Sequence, residues 1–175
     1  MQVDISITCA DWLTDLPDVE AVVARVAERV DAGDRMLPAS TEVSLLLCGD
    51  DAGRRLNREW RGRDVATNVL SFPALDVGEL APAAAAAAAD GRPMLLGDVV
   101  LAHGVVRREA LAQGKPLADH FSHLLVHGLL HLLGFDHETD DDAAVMEPLE
   151  VDILAGLGIA DPYADPLIAR VPSTV

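Results

Sequence analysis

The stretch LADHFSHLLVHGLLHLLGFDH, residues 117–137, holds five of the six histidines in a run otherwise rich in leucine. On a helix of 3.6 residues per turn, His120, His123, His127 and His131 fall at about 0°, 300°, 340° and 20°, a stripe about 80° wide. Leu124, Leu125, Leu129 and Leu132 occupy the rest of the circumference, so the helix has a packing face and a histidine face. His127 and His131 stand one turn apart and can aim two imidazole nitrogens at a common ion. Gly134 follows where a helix commonly ends in a left-handed residue, and the turn it permits swings His137 back towards the pair. Three neutral imidazoles with a fourth position left open make a catalytic rather than a structural kind of zinc site.

His120 and His123 are assigned packing or supporting roles, because closed four-histidine sets are not the common structural zinc site. His103 lies outside the stripe and is unassigned. The spacing HxxxHxxGxxH also occurs in metzincin peptidases, which carry glutamate after the first histidine as the base acting on zinc-bound water. Here that position is Gly128, so peptide hydrolysis by that route lacks its base.

The 175 residues suit one core, and a single domain over residues 1–160 with an extended tail over 161–175 is expected. Alternating or β-branched runs at 3–9, 42–48, 67–72 and 98–101 have strand length. Val19, Val22, Val23, Val26 and Val30 recur at helical spacing, with Gly33 marking the end. Further helices are expected at about 51–60, 104–113, 117–133 and 140–157, and Pro148 is expected to kink or divide the last. The alanine-rich run 80–90, LAPAAAAAAAD, offers no large side chain to anchor it and reads as a surface excursion. Strands first and helices later indicate an α+β fold, a small mixed β-sheet packed on helices that include the histidine helix.

No apolar run reaches membrane-spanning length, and the N-terminus lacks the pattern of a signal peptide, so a cytoplasmic protein is expected. Cys9 and Cys48 lie apart in apolar segments and read as buried free thiols. With 13 basic and 29 acidic residues the formal charge is −16, which argues against non-specific adhesion to DNA, other nucleic acid or anionic membrane. Locally the sign reverses: Arg54, Arg55, Arg58, Arg61 and Arg63 sit together in RRLNREWRGR.

Taken with these segments, the sequence resembles the YbeY family of bacterial endoribonucleases, metal-binding factors of rRNA maturation. The family's HGxLHLxGxDH motif is matched by His127, Gly128, Leu130, His131, Leu132, Gly134, Asp136 and His137. The block LNREWRGRDVATNVLSFP (56–73) and the segments GDVVL, VMEPLEVDIL and LGIADPY are also similar. Ala66, where the family often has proline, and the alanine run are the main departures. The resemblance implies one Zn²⁺ per chain on His127, His131 and His137, and cleavage of single-stranded RNA during maturation and quality control of ribosomal RNA. It also implies association with the small ribosomal subunit, and it places the family's catalytic arginine at Arg61.

Arg54, Arg58 and Arg61 share a helical face if the helix persists that far, giving a local track for RNA phosphates. Arginine suits the task because its planar fork binds two phosphate oxygens while staying charged. No residue stands out as the base; the candidates are the metal's own hydroxide, His123, or the RNA's own 2′-hydroxyl acting as nucleophile. Asp136 either orients His131 or His137 through a ring nitrogen or serves as a turn residue beside Gly134. Asn68, Ser71 and Asp98 are candidates to line the cleft. The competing reading is a non-catalytic ribosome-assembly factor whose zinc is structural.

Overall fold

The computed structural model describes residues 1–32 and 40–164. In chain order the elements are β1 (Gln2–Ile7), α1 (Asp11–Asp15), α2 (Val19–Asp31), β2 (Thr41–Cys48), α3 (Asp50–Arg61) and β3 (Val69–Pro73). They continue with α4 (Val77–Asp90), β4 (Met94–Ala102), α5 (His103–Gln113), α6 (Leu117–Leu132) and α7 (Asp140–Gly156). The four strands form one sheet in the order β1-β2-β4-β3. β1, β2 and β4 run parallel, and β3 pairs antiparallel with β4 at the edge. The expected α+β class and small mixed sheet are therefore what the chain forms.

Alternation decides what each face of the sheet receives. Val43, Leu45 and Leu47 of β2 enter the larger core with α2, α6 and α7, while Leu46 and Cys48 point to a smaller cluster under α3 and α5. In β4 a bulge opposite Glu42 and Val43 leaves Leu96 without a register partner. The extra residue resets the alternation, so Met94 and Leu96 before it and Val99 and Leu101 after it all enter the larger core. Gly97 takes φ +144° there, and a Cβ would collide with the Phe72 carbonyl oxygen.

Several expectations are revised. The alanine-rich run is helix α4, held at its start by reciprocal bonds between Asp76 and Glu79, with Ala87 buried and Leu80, Ala83 and Ala84 packed on the core. α7 runs on through Pro148 without dividing. The short helix α1 was not foreseen; it buries Trp12 completely, with the indole N–H donating to the Cys48 carbonyl at 3.1 Å. Cys48 is buried as expected, and Cys9 is half-buried. The expected stop at Gly33 and the tail beyond Ala164 lie outside the described residues.

α6 lies on β3 and β4 with Phe121, Leu125, Val126, Leu129 and Leu130 wholly buried. Its closest approach is at Gly128, where a Cβ would stand 2.9 Å from a methyl of Val99 and 3.2 Å from the Ser71 hydroxyl. Gly128→Ala is therefore expected to lower stability by about 1–3 kcal/mol, the usual cost of overpacking. The check is a urea melt whose midpoint falls with m unchanged; an unmoved midpoint would mean that the contact is not tight.

Candidate metal centre

The C-terminal half of α6 and the turn after it build the site. Helical spacing carries His127 and His131 to the same side, and their Nε2 atoms lie 3.1 Å apart. At the helix end Gly134 adopts φ +85°, the Gly134 N–H donates to the His131 carbonyl, and the Phe135 N–H reaches back to Leu130. These paired bonds form a Schellman motif, which reverses the chain and returns His137 to the pair. Ring centroids of His137 stand 5.1 Å from those of both His127 and His131. One nitrogen from each ring lies within 4.8 Å of the others, a group able to hold a metal ion.

The protonation chemistry fits that use. Burial, followed by the proximity of His127 and His137, pushes the His131 pKa below its ordinary value, so its lone pair is available near neutrality. His127 Nδ1–H donates to Glu150 Oε1 at 2.8 Å, which leaves Nε2 facing its neighbours. Glu150 comes from α7 and is completely buried. Burial alone would raise its pKa, but hydrogen bonds from His127 and from the Tyr163 hydroxyl outweigh it and hold the carboxyl below its usual value. A carboxylate gripping the far nitrogen of a ligating histidine fixes both its tautomer and its ring orientation.

Sequence reasoning passed over Glu150, although a signal was present. Met146, Glu150, Ile153 and Leu154 form one buried face of α7, and an acid in such a stripe needs a buried partner.

A cleft of about 650 Å³ opens in front of the histidines. Arg61, Asn68, Ser71 and Asp136 line it, as do Leu75, Asp76 and Val77 at the start of the alanine-rich helix. Arg61 is the last residue of α3, and its guanidinium donates to the Ser71 carbonyl at 3.3 Å. Buried Asn57 shapes the neighbouring loop by donating to the Val65 carbonyl at 2.8 Å. Arg54 and Arg58 do not line the cleft; both face Asp64, Arg54 through two bonds of 2.7 and 2.8 Å and Arg58 at 3.8 Å. Asp98 is exposed on β4 and also stands outside it.

Asp136 Oδ1 accepts the His137 backbone N–H at 2.7 Å and lies 4.0 Å from His131 Nδ1, so its hydrogen bond is that of a turn residue. His123 sits behind His127 rather than in the cleft lining, with its ring edge-on to Tyr163 and both nitrogens buried without a hydrogen-bond partner. Burial lowers its pKa to about 4 despite the attraction of Glu150. His120 is tied to Glu109 at 2.9 Å, and Asn68 donates to the same carboxylate at 3.0 Å. Cys9, Asp11 and His103 form a second group of potential ligands. There the His103 ring is already bonded to Asp15 at 3.0 Å, and Arg107 meets the same carboxylate at 3.1 Å.

Two outcomes follow from Glu150 and His123. Glu150→Ala is expected to weaken metal retention about 10- to 100-fold, with Glu150→Gln intermediate because it keeps an acceptor for His127. Competition against a chelator measures this, and equal retention in all three proteins would reduce Glu150 to packing. For His123, the unfolded chain takes up a proton near pH 6.5 that the folded chain resists until about pH 4, so stability falls as pH drops through that window. In metal-stripped protein His123→Leu should lose less stability across it than the wild type, by roughly 3 kcal/mol; urea melts with equal losses would refute this.

Comparison with known proteins agrees with this architecture. The Endoribonuclease YbeY family model matches residues 6–158. The Endoribonuclease YbeY of Paramagnetospirillum magneticum is 47% identical over 165 residues, covering 94% of this chain and 97% of its own. That of Dinoroseobacter shibae is 50% identical over 169 residues, covering 95% and 92%. Among solved structures, a Thermotoga maritima protein determined in solution shares the fold with a TM-score of 0.51 and 19% identity, covering 93% of this chain and 99% of its own. With a match that runs from the end of β1 to just beyond α7, and near-half identity along the chain, this protein belongs to the Endoribonuclease YbeY family.

Proposed function

We propose that the chain is a zinc-dependent endoribonuclease that cuts single-stranded RNA in the maturation of ribosomal RNA. The observation that carries this reading is the meeting of His127, His131, His137 and Arg61 around one open cleft. Neutral imidazoles suit zinc, and the ligand set leaves room for water or substrate. A bound metal supplies Lewis-acid polarisation and a more acidic water.

The protein's own groups do the rest. Arg61 uses one N–H on the Ser71 carbonyl, which anchors it beside β3. Its remaining donors are free to clasp phosphate oxygens and to offset the charge that develops as the phosphodiester is cut. Glu150 holds the His127 ring in place, and Asp136 holds the turn that presents His137. Arg54 and Arg58, drawn to Asp64, add long-range attraction for the strand rather than contact inside the cleft.

The net charge of −16 weakens attraction to bare RNA. A small ribosomal subunit that presents the strand would supply the missing affinity, and cytoplasmic action follows from that partner. No helix among the described residues is long and apolar enough to cross a membrane.

Arg61→Ala is expected to lower cleavage of a single-stranded rRNA fragment about 10²–10³-fold, as loss of a transition-state donor does elsewhere. His131→Ala and chelated wild type should both fail to cut while keeping the far-ultraviolet spectrum of the folded protein, because the apolar core is built from side chains other than the three histidines. Cleavage at equal rates by wild type, Arg61→Ala and His131→Ala would mark a contaminating nuclease. Collapse of the fold on chelation would favour the structural-zinc assembly factor.

A further inference from the structure

The chain has two tryptophans with opposite surroundings. Trp12 is wholly buried and bonded, whereas Trp60 is 66% exposed although its neighbours on α3 include several arginines. An exposed tryptophan offers a flat, rigid contact face with a polar N–H at its edge, which an exposed leucine does not.

Trp60 is also held in place. Its ring leans on Phe72 of β3, with centroids 5.8 Å apart and planes at 60°. The next residue along α3, Arg61, bonds the carbonyl of Ser71, the residue before Phe72. Two successive α3 residues thus grip two successive β3 residues, one through a ring contact and one through a hydrogen bond. β3 is an edge strand of the sheet; Arg61 and Ser71 line the cleft, and Trp60 and Phe72, each the chain neighbour of one of them, lie outside that lining. Val65, 58% exposed, also lines the cleft and extends its apolar rim.

We propose that Trp60 is a stacking platform for one unpaired nucleobase of a single-stranded RNA whose adjoining phosphate is held by Arg61. The proposal rests on the RNA-cleaving reading above and adds a subsite to it. Phosphate attraction alone does not separate single strands from duplexes, whereas a stacking face accepts only a base that is not already stacked on both sides. The aromatic face takes any base, so the subsite selects for strandedness rather than sequence. On a body as acidic as this one, an uncharged stacking contact adds affinity that net charge cannot provide.

The two tryptophans make the test direct. A short 2′-O-methyl oligoadenylate, which resists cleavage, is titrated into the full chain while tryptophan emission is followed. An oligomer of the same length with abasic sugars serves as the control. The expected result is quenching of the exposed tryptophan by the oligoadenylate. Trp60→Ala should bind it roughly 5- to 150-fold more weakly, the range for loss of one stacked base. Trp60→Phe should keep most of the affinity, and the abasic oligomer should bind wild type and Trp60→Ala alike. Trp12 emission in Trp60→Ala reports that the fold is intact.

Tight binding without quenching, and with Trp60→Ala equal to wild type, would overturn the stacking platform and leave the RNA reading standing. Failure of wild type to bind either oligomer at low salt while it still cuts an RNA fragment would likewise overturn the platform, and failure both to bind and to cut would remove the RNA reading with it.

Discussion

The functional geometry depends on how closely α6 lies against the sheet. At Gly128 the helix backbone meets Val99 and Ser71 with no room for a side chain, and this contact fixes both the height and the rotation of the helix. Once the rotation is fixed, Leu125, Leu129 and Leu130 are committed to the core, and His127 and His131 are committed to the cleft. The same contact explains why the chain cannot place a glutamate after the first histidine in peptidase fashion. Position 128 points into the sheet, so a carboxylate there would be driven between Val99 and Ser71 rather than towards a bound water. The shared HxxxH spacing reflects a shared way of bringing two imidazoles together and says little about the base.

A second constraint is the fully buried carboxylate of Glu150. An isolated charge in the core would be strongly destabilising, and it persists because His127 and Tyr163 both donate to it. The arrangement couples three parts of the chain: α6 supplies the ring, α7 the carboxylate, and the segment beyond α7 the hydroxyl. Tyr163 belongs to a stretch that sequence alone reads as extended tail, yet it closes this network from behind the histidine cluster. Rigidity of this kind keeps the ligand rings from wandering, since a rotated His127 would leave a buried carboxylate short of a partner.

Much of the fold was legible because its signals were periodic. The valines of α2, the alternation in β2 and the histidine stripe of α6 each predict the face that the structure buries or opens. What escaped was set by contacts distant in sequence or by short capping signals. α1 is five residues long and exists around one buried tryptophan. The alanine-rich run lacks an apolar stripe, but Asp76 and Glu79 at capping-box spacing announced its start. The β4 bulge hid the strand's true length by breaking its period. In the site, the histidines could be gathered by spacing alone, whereas Glu150 required the packing of α7 on α6, and the pairing of Arg54 and Arg58 with Asp64 required the loop between α3 and β3 to be folded.

That last pairing changes how the basic segment should be understood. Five arginines in RRLNREWRGR look like a phosphate track, but Asp64 draws in Arg54 and Arg58, and Arg61 and Arg63 alone of the five line the cleft. One carboxylate shared by two guanidiniums offsets part of their charge and leaves the rest to act at a distance, while Arg61 and Arg63 face the cleft directly. A basic segment by itself attracts any polyanion, single-stranded or duplex. On an acidic body that attraction is opposed by long-range repulsion, so short-range contacts at the cleft weigh more in what is retained. Discrimination therefore moves from charge to shape, and on the function proposed above that shape is a strand able to thread one phosphate between Arg61 and the histidines.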